Sequence, residues 1–489
     1  MLFNSHIFIL LFLPLLLAGW YFLNWKKKFQ LAQGYLIGMS LWFYAYANLQ
    51  YLWLLLFSCL IGWLLSCLPE KIFSEKGKKV LTGVGCVFHL GLLGYFKYSN
   101  FFLENLNTVF HTDFPMLQIL LPVGISFYTF QQLAYLIDRC RGDAPRDSFF
   151  DYLTFMVYFP QLLQGPILLR SEFMGQLKEP ERRRFHAERF SEGIQFFVFG
   201  LAKKVLLADT LAKAVNYGYS NVSMLDSISA LLLAVGYLTE LYFDFSGYCD
   251  MAVGLGKMIG LEVAENFDAP FHSASVKEFW RRWHMTLGRF FTRYVYIPLG
   301  GNRRGKMRTL CNVMIVMLLS GLWHGAAWTF VLWGFLHGVG MIWDNLEHPH
   351  LPKKWMRQAA TFAYVCMTFV FFRAESIAQG IDVLKSIVSL KWNGFVFQMA
   401  SALDMTECYI ITKALSMKLP GLLSWFWLGI FVVLIAICFR VLSGKKVSGV
   451  VALQRQKGYG RLYPVLLAVL FTWSMISMTG VSEYLYFSF

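Results

Sequence analysis

The sequence predicts an all-α, polytopic helical membrane protein with about 11 to 12 transmembrane helices. The chain has 489 residues, of which 57% are hydrophobic and 15% are charged. Soluble domains carry about 25% charged residues, so this composition lies far outside their range. Apolar runs long enough to cross a bilayer recur from one end of the chain to the other. We therefore expect a single membrane domain over residues 1–489.

The first apolar run, 3–23, is predicted to remain in the protein as a helix with its N-terminus outside. No positive charge precedes it and Lys26, Lys27 and Lys28 follow it, whereas a secretory signal shows the reverse order. Further apolar runs predict helices at 30–48, 51–68, 80–97, 117–137, 192–210, 227–258, 310–326, 327–345, 358–373, 424–441 and 462–480.

The net charge of +15 is distributed in a way that indicates topology and not nucleic-acid binding. Loops that share one face of the predicted topology hold 33 of the 44 lysines and arginines. Such a bias marks the cytoplasmic side, where basic side chains meet anionic lipid head groups. The loops on this face are 24–29, 69–79, 138–150, 170–191, 259–309, 346–357 and 442–461.

Three segments depart from the simple helical pattern. The apolar run 155–169 contains Pro160, Gly165 and Pro166 between basic loops, so we expect it to enter the membrane and return while buried in protein. The 227–258 run is longer than an ordinary span, and we expect a break near Gly247. The 259–309 loop is long, basic and aromatic, and it includes the sequence WRRWH, which ends at His284.

Nine cysteines lie scattered through the chain without CxxC spacing, mostly inside apolar runs. We expect them to be small buried hydrophobic residues, with neither a disulfide framework nor a metal site. The acids of the 227–258 run, Glu240, Asp244 and Asp250, require partners inside a membrane. Pairing with a basic residue, capping of a half-helix and coupling to ion movement would each supply one.

His324 lies between two tryptophans in the run SGLWHGAAW, in the middle of apolar sequence. A polar side chain inside a membrane faces a cavity or a partner. Hydrogen bonding between helices would explain this histidine as well as chemistry would. Small residues around it would allow something to approach closely, and small-residue helix packing predicts the same pattern. The flanking small residues are Ser320, Gly321, Gly325, Ala326 and Ala327.

Of the other histidines, His284 is the second candidate for chemistry, because aromatic and basic residues alternate just before it. An interfacial helix, with Trp280 and Trp283 at the head groups, would give the same pattern. His337 lies too far from His324 along a helix to share its site, and His272 lies in a loop. The remaining histidines are expected near span ends or in loops, and these are His6, His89, His111, His186, His348 and His350.

Taken together, these segments resemble the membrane-bound O-acyltransferases, in particular the bacterial branch typified by the membrane subunit of alginate O-acetylation. The matching stretches cover essentially the whole chain in the family's order. They are FPQLLQGPI at 159–167, YFDFSGYCDMAVGLGKMIG at 242–260, ENFDAPF at 265–271, EFWRRWHMTLGRFFTRYVYIPLGGNRRG at 278–305, LLSGLWHGAAWTFVLWGFLHG at 318–338 and FVFFRAES at 369–376. The chain departs from the branch at Gln164, Cys249, Arg293 and Ala327.

The resemblance implies that His324 is the catalytic histidine and His284 the family's second conserved polar position. It also implies a buried reaction tunnel, a place in the bacterial plasma (inner) membrane, and no tightly bound cofactor. Acetyl-CoA is the implied acyl donor, and the implied partners are an extracytoplasmic polysaccharide or a hydrolase-like acetyltransferase of the SGNH type. Basic residues of the cytoplasmic loop are expected to meet the phosphates of coenzyme A, and these are Arg281, Arg282, Arg303 and Arg304.

The predicted reaction is acetyl transfer to a hydroxyl, with His324 as general base and His284 either orienting the substrate or stabilising the oxyanion. Two alternatives remain open on the sequence. Charged intramembrane residues such as Lys203, Lys204 and Arg373 would also suit an ion-coupled transporter. An O-acyltransferase of the same family could use another donor or acceptor, such as a carrier-protein thioester, teichoic acid or lipid.

Overall fold

The computed structural model describes residues 1–67, 75–346, 352–442, 444, 446–458, 460–478 and 484–485. These residues form helices joined by short connections, and no strand occurs among them. The predictions for His348 and His350 lie outside the described residues, as do those for parts of the basic loops 69–79, 346–357 and 442–461. The predicted all-α class is confirmed.

Most predicted spans coincide with helices. The α-helices are Leu13–Trp25, Phe29–Asn48, Leu52–Cys67, Glu75–Leu93, Ser99–Phe110, Ile125–Arg141, Phe149–Val157, Phe159–Leu162, Arg170–Leu177, Ala187–Ala202, Asp209–Ser220, Ser227–Ile259, Val276–Arg282, Met285–Phe291, Lys306–His324, Trp328–Asn345, Lys354–Arg373, Ile377–Val388, Phe395–Ser401, Tyr409–Lys418, Pro420–Leu442, Val447–Lys457 and Leu462–Ser477. Short π-helical turns extend some of them, among them Phe8–Phe12, Gly94–Tyr98, Lys203–Ala208 and Thr292–Tyr296.

Among the described residues, six helical stretches are both long and apolar enough to cross a membrane, which makes this a multi-pass membrane protein. The other predicted spans are helices that are shorter or more polar, so the total of 11 to 12 crossings stays a prediction. The six are Phe8–Trp25, Leu49–Cys67, Lys76–Phe110, Ser227–Ile259, Lys306–His324 and Pro420–Leu442.

The chain divides into two compact units, each made of several chain segments. The first contains Met1–Phe197, Tyr248–Glu265 and Thr286–Pro298, and the second contains Val198–Gly247, Asn266–Met285 and Leu299–Phe489. Both candidate histidines, His284 and His324, belong to the second unit. The single membrane domain stays a prediction.

In the first unit, all residues of the interrupted segment 155–169 are buried. The helix Phe149–Val157 ends there, a short helix covers Phe159–Leu162, and no helix is continuous through the segment. The freed backbone groups find side-chain partners: the N–H of Phe159 donates to Ser40 Oγ at 3.3 Å, and that of Ile167 donates to Thr286 Oγ1 at 3.0 Å. This is how irregular backbone is tolerated in a membrane protein.

Arg293, where the family pattern led us to expect an acid, also lies in the first unit. Its guanidinium reaches Asp138 at 3.0 Å and Asp143 at 2.9 Å. These ion pairs explain how the unexpected positive charge is accommodated.

Two helix predictions are wrong in their details. The predicted span 117–137 becomes helical only at Ile125, because Pro122 and Gly124 precede it and Gly124 adopts a positive φ of 78°. The run 227–258 forms one unbroken helix, Ser227–Ile259, without a break at Gly247. A Cβ on Gly247 would lie 2.7 Å from the carbonyl oxygen of Gly200, so this glycine permits close helix packing and does not form a turn.

Candidate active site

The helices Lys306–His324 and Trp328–Asn345 form a closely packed pair, which we call the histidine hairpin. A Cβ on Gly334 would lie 2.5 Å from the carbonyl oxygen of Met317 and 3.3 Å from the Cα of Gly321. The two backbones therefore approach each other through glycines, as in other tightly packed membrane helices. The small residues predicted to admit a close neighbour thus admit the second helix of the hairpin.

His324 is the last residue of the first hairpin helix, and its side chain is only 3% exposed. Its ring lies in a box of aromatic side chains. The ring centroids of Trp333 and Phe372 are both 5.2 Å from that of His324, in edge-on arrangements. Such surroundings exclude bulk water, which strengthens every polar interaction that the imidazole makes.

His284 joins the short helices Val276–Arg282 and Met285–Phe291 and adopts a left-handed backbone with φ of 45°. This conformation is costly for a residue with a side chain. Two backbone hydrogen bonds stabilise it, from Asp268 N to the carbonyl of Arg282 at 2.9 Å and from Met285 N to the carbonyl of Asn266 at 3.0 Å. The position of the ring is therefore fixed by the main chain on both sides.

The alternative of a plain interfacial helix around His284 is wrong. Trp283 is buried and stacks on Phe279 with ring centroids 5.3 Å apart. Trp280 donates its indole N–H to His337. The segment predicted as a loop is folded into short helices, and His284 itself is 1% exposed. The side of the membrane on which this segment lies stays a prediction.

The hydrogen bonding of His284 determines what its ring can do. Nδ1 lies 3.2 Å from Asn266 Oδ1, an acceptor, so Nδ1 carries the proton and donates it to that oxygen. In the described part of the chain, Nε2 has no hydrogen-bond partner. Burial lowers the pKa of His284 to about 3, so the ring stays neutral at physiological pH. The structure thus presents a buried, neutral acceptor at Nε2.

The two candidate histidines lie close together. Their ring centroids are 6.5 Å apart. An oxygen hydrogen-bonded to a histidine nitrogen lies about 4 Å from the ring centre, so the two rings are near enough to contact neighbouring hydroxyls of one substrate. Forty residues of sequence separate these side chains, and no regular spacing predicts the contact.

His337, by contrast, is fully bonded and packs as a structural residue. Trp280 Nε1 donates to its Nδ1 at 3.3 Å, and its Nε2 donates to Thr368 Oγ1 at 3.0 Å. The Thr368 hydroxyl in turn donates to the carbonyl of Val365 at 2.8 Å. With both nitrogens engaged, His337 has no capacity left for a substrate.

Trp333 was not singled out from the sequence. Its indole ring is buried between His324 and His337, with centroids 5.2 and 4.8 Å from theirs. Among the residues that the structure describes, nothing accepts a hydrogen bond from its Nε1–H. A buried donor without an acceptor beside a candidate catalytic ring is suited to stabilise a developing negative charge. A tryptophan nine residues after His324 gave no sequence signal for this role.

The four arginines predicted to bind the acyl donor differ in their exposure and in their ion pairs. Arg282 pairs with Glu278 at 2.8 Å, whereas Arg281, Arg303 and Arg304 are exposed. Although burial alone would raise the pKa of Glu278, hydrogen bonds from Ala274 N–H and from Arg282 lower it below its usual value. The role of these four arginines in binding a donor stays a prediction.

Of the three intramembrane acids, Asp244 finds a basic partner, which is one of the three options considered. Lys204 Nζ lies 2.6 Å from Asp244 and 2.7 Å from Asp209. Asp244 also accepts the backbone N–H of Leu485 at 3.1 Å. The unbroken helix Ser227–Ile259 rules out the capping of a half-helix near Gly247.

Comparison with known proteins agrees with the resemblance drawn from the motifs. The family model of the membrane-bound O-acyltransferases matches residues 141–380, which include both histidines. A peptidoglycan O-acetyltransferase of Helicobacter pylori is 36% identical, with 80% of each chain covered. Probable alginate O-acetylases of Azotobacter vinelandii and Pseudomonas putida are each 39% identical over 77% of this chain, covering 76% and 78% of their own lengths.

The chain belongs to the membrane-bound O-acyltransferase family. It is therefore an enzyme that transfers acyl groups to oxygen. Of the two functions considered from the sequence, acyl transfer is supported and ion-coupled transport is not. In this member of the membrane-bound O-acyltransferases, the matched region also contains Asn266 and Trp333, the two neighbours of the histidine pair described above.

Proposed function

We propose that this enzyme moves an acetyl group from cytoplasmic acetyl-CoA to a hydroxyl of an extracytoplasmic polysaccharide, in the bacterial plasma membrane. The observation that carries the proposal is the pair of buried histidine rings 6.5 Å apart, one of which presents a free acceptor nitrogen. The named activities of the relatives, O-acetylation of peptidoglycan and of alginate, support acetyl as the group and polysaccharide as the acceptor.

In the proposed reaction, His324 accepts the proton of the attacking hydroxyl while the new C–O bond forms at the thioester carbonyl. The C–S bond then breaks, and the imidazolium returns the proton to the departing thiolate of CoA. General-base catalysis of this kind contributes about 10²–10⁴-fold in rate. The dry aromatic surroundings of His324 also protect the thioester from hydrolysis.

His284 is assigned the orienting role, one of the two expected for it. An oxyanion requires a hydrogen-bond donor, whereas a neutral His284 with its proton on Nδ1 offers only an acceptor at Nε2. It therefore accepts a hydrogen bond from a second hydroxyl of the acceptor sugar and orients that sugar, while the attacking hydroxyl gives its single proton to His324. The oxyanion is assigned instead to the indole N–H of Trp333.

The cytoplasmic donor is expected to contact the exposed Arg281, Arg303 and Arg304, whose charges suit the phosphates of CoA. Arg282, held by Glu278, would form one edge of that contact. A secreted or anchored SGNH-type acetyltransferase is a proposed partner on the extracytoplasmic side.

The proposed function is tested with protein reconstituted in nanodiscs and supplied with radiolabelled acetyl-CoA. We expect release of CoA together with transfer of label to an added oligosaccharide. The same preparation supplied with an acetylated carrier protein tests the alternative donor. If label is transferred from the carrier protein and none from acetyl-CoA, the donor is a carrier-protein thioester and the proposed donor is wrong.

Replacing Trp333 with phenylalanine is expected to lower kcat about 10²-fold, because removal of one oxyanion donor costs about 10²–10³ in kcat. The aromatic packing on His324 is largely kept by the new ring. Trp328→Phe is the matched control, since this tryptophan is 56% exposed and begins the same helix. Equal activity of the two variants would remove Trp333 from the mechanism.

A further inference from the structure

A polar cavity of about 480 Å³ lies in the second unit beside the histidine box. Its volume falls within the range of small-ligand sites, roughly 300–1,000 Å³. Phe372 lines this cavity and also packs edge-on against His324, with ring centroids 5.2 Å apart. Ala327 and Phe330, in and just after the turn of the histidine hairpin, line it as well. We call it the charged cavity.

Glu240 is the unusual member of the cavity wall. Its side chain is 2% exposed, and it lies on the unbroken helix Ser227–Ile259. Within the described residues, its Oε2 has no hydrogen-bond partner. A buried carboxyl oxygen without a partner is costly. Because the carboxyl lines the charged cavity, a ligand in that cavity can supply the missing donor.

The neighbouring cations are already engaged by the protein. Lys204 bridges Asp209 at 2.7 Å and Asp244 at 2.6 Å. Arg373 donates to Asn216 Oδ1 at 3.0 Å, and its guanidinium lies 5.1 Å from the ring centre of Tyr219. These contacts hold the charged groups in place, so the cavity presents a preorganised set of polar atoms.

The charge of the lining indicates which ligands the cavity accepts. Four carboxyl groups line it against two basic side chains. This surplus of acids disfavours an anionic ligand and offers acceptor oxygens to the hydroxyl groups of an uncharged one. The ionisable residues of the lining are Lys204, Asp209, Glu240, Asp244, Arg373 and Glu375.

We propose that the charged cavity binds an uncharged sugar residue of the acceptor, with Glu240 accepting a hydrogen bond from one of its hydroxyls. The inference rests on the proposed acetyl transfer and adds the substrate class: a sugar unit that bears no carboxylate where it enters this site. The shared wall at Phe372 places the bound sugar next to His324.

The test compares two acceptors of equal length, a tetramer of β-1,4-linked N-acetylglucosamine and a tetramer of mannuronate, with radiolabelled acetyl-CoA in nanodiscs. We expect a lower KM for the neutral tetramer. Glu240→Gln should raise that KM about tenfold and leave the KM for acetyl-CoA unchanged, because the loss of one buried hydrogen bond is worth about a tenfold change. Glu188→Gln, at an exposed position in the first unit, is the matched control.

Three outcomes contradict the inference, and they differ from one another. An unchanged acceptor KM in Glu240→Gln, with active wild type, removes Glu240 from acceptor binding. A lower wild-type KM for mannuronate overturns the assigned substrate class. Transfer to neither tetramer by the wild type overturns the proposed function and this inference with it.

A second variant covers the case in which Glu240→Gln is not recovered as folded protein. Ala212 also lines the charged cavity, and Ala212→Phe fills it without altering any charge. Transfer to the neutral tetramer is expected to be lost, while binding of acetyl-CoA measured by calorimetry is retained. Full transfer by this variant would show that the acceptor does not occupy the cavity.

Discussion

His324→Ala is expected to abolish most acetyl transfer, with kcat falling by about 10²–10⁴-fold. The substitution removes the only group in the proposed mechanism that accepts the hydroxyl proton. Stability is expected to change less than activity, because the ring lies at the end of a helix and the aromatic box remains around the space. Transfer of label from acetyl-CoA to an oligosaccharide measures the effect.

Two controls separate chemistry from folding in this experiment. The variant is expected to elute as a single species from size exclusion and to bind acetyl-CoA as the wild type does. His186→Ala, which removes an exposed histidine of the first unit, is expected to keep full activity. Retention of more than about a tenth of wild-type kcat by His324→Ala would assign the base elsewhere, and His284, with its open Nε2, would be the next candidate.

Gly334→Val is expected to destabilise the protein more than any other single change described here. A Cβ at this position would lie 2.5 Å from the carbonyl oxygen of Met317, and backbone cannot move aside as a side chain can. Overpacking costs about 1–3 kcal/mol where side chains can adjust, so we expect a larger loss here. The melting temperature in detergent should fall by at least about 5 °C.

Gly429→Val is the matched control for that experiment. Gly429 lies within the helix Pro420–Leu442, and no atom would come within 4 Å of a Cβ there. Its variant is expected to melt close to the wild-type temperature. Equal destabilisation at the two positions would mean that the effect comes from the loss of a helical glycine and not from the close approach of two backbones.

The all-α fold class and most helices could be predicted from the sequence, because the length of an apolar run can be read from the residues of that run alone. Local patterns gave a wrong prediction where a glycine was interpreted as a helix break. The SGY sequence at Ser246–Tyr248 predicted a break, yet Gly247 serves the contact with Gly200 inside a continuous helix. The sequence around Gly247 does not show which helix packs against it, so the reason for the glycine could not be predicted.

The candidate site was predictable only in part. Burial of His324 followed from its apolar surroundings, and His284 was a candidate because of the aromatic and basic residues before it, with its expected role coming from the family resemblance. Their proximity depends on the left-handed backbone at His284 and on Asn266, and neither has a sequence signal. Glu240 was recognised only as an acid in need of a partner. Its open oxygen becomes visible once the cavity wall is assembled in three dimensions.

One helix connects the wall of the charged cavity to the aromatic ring that packs on His284. Glu240 and Phe245 lie on the same uninterrupted helix, and the Phe245 ring packs edge-on against His284 with centroids 4.8 Å apart. Five residues of helix span about 7.5 Å along the axis. A single inserted residue between them would turn one side chain by about 100° relative to the other, so the continuous helix keeps the Glu240 carboxyl in register with the ring that packs on His284.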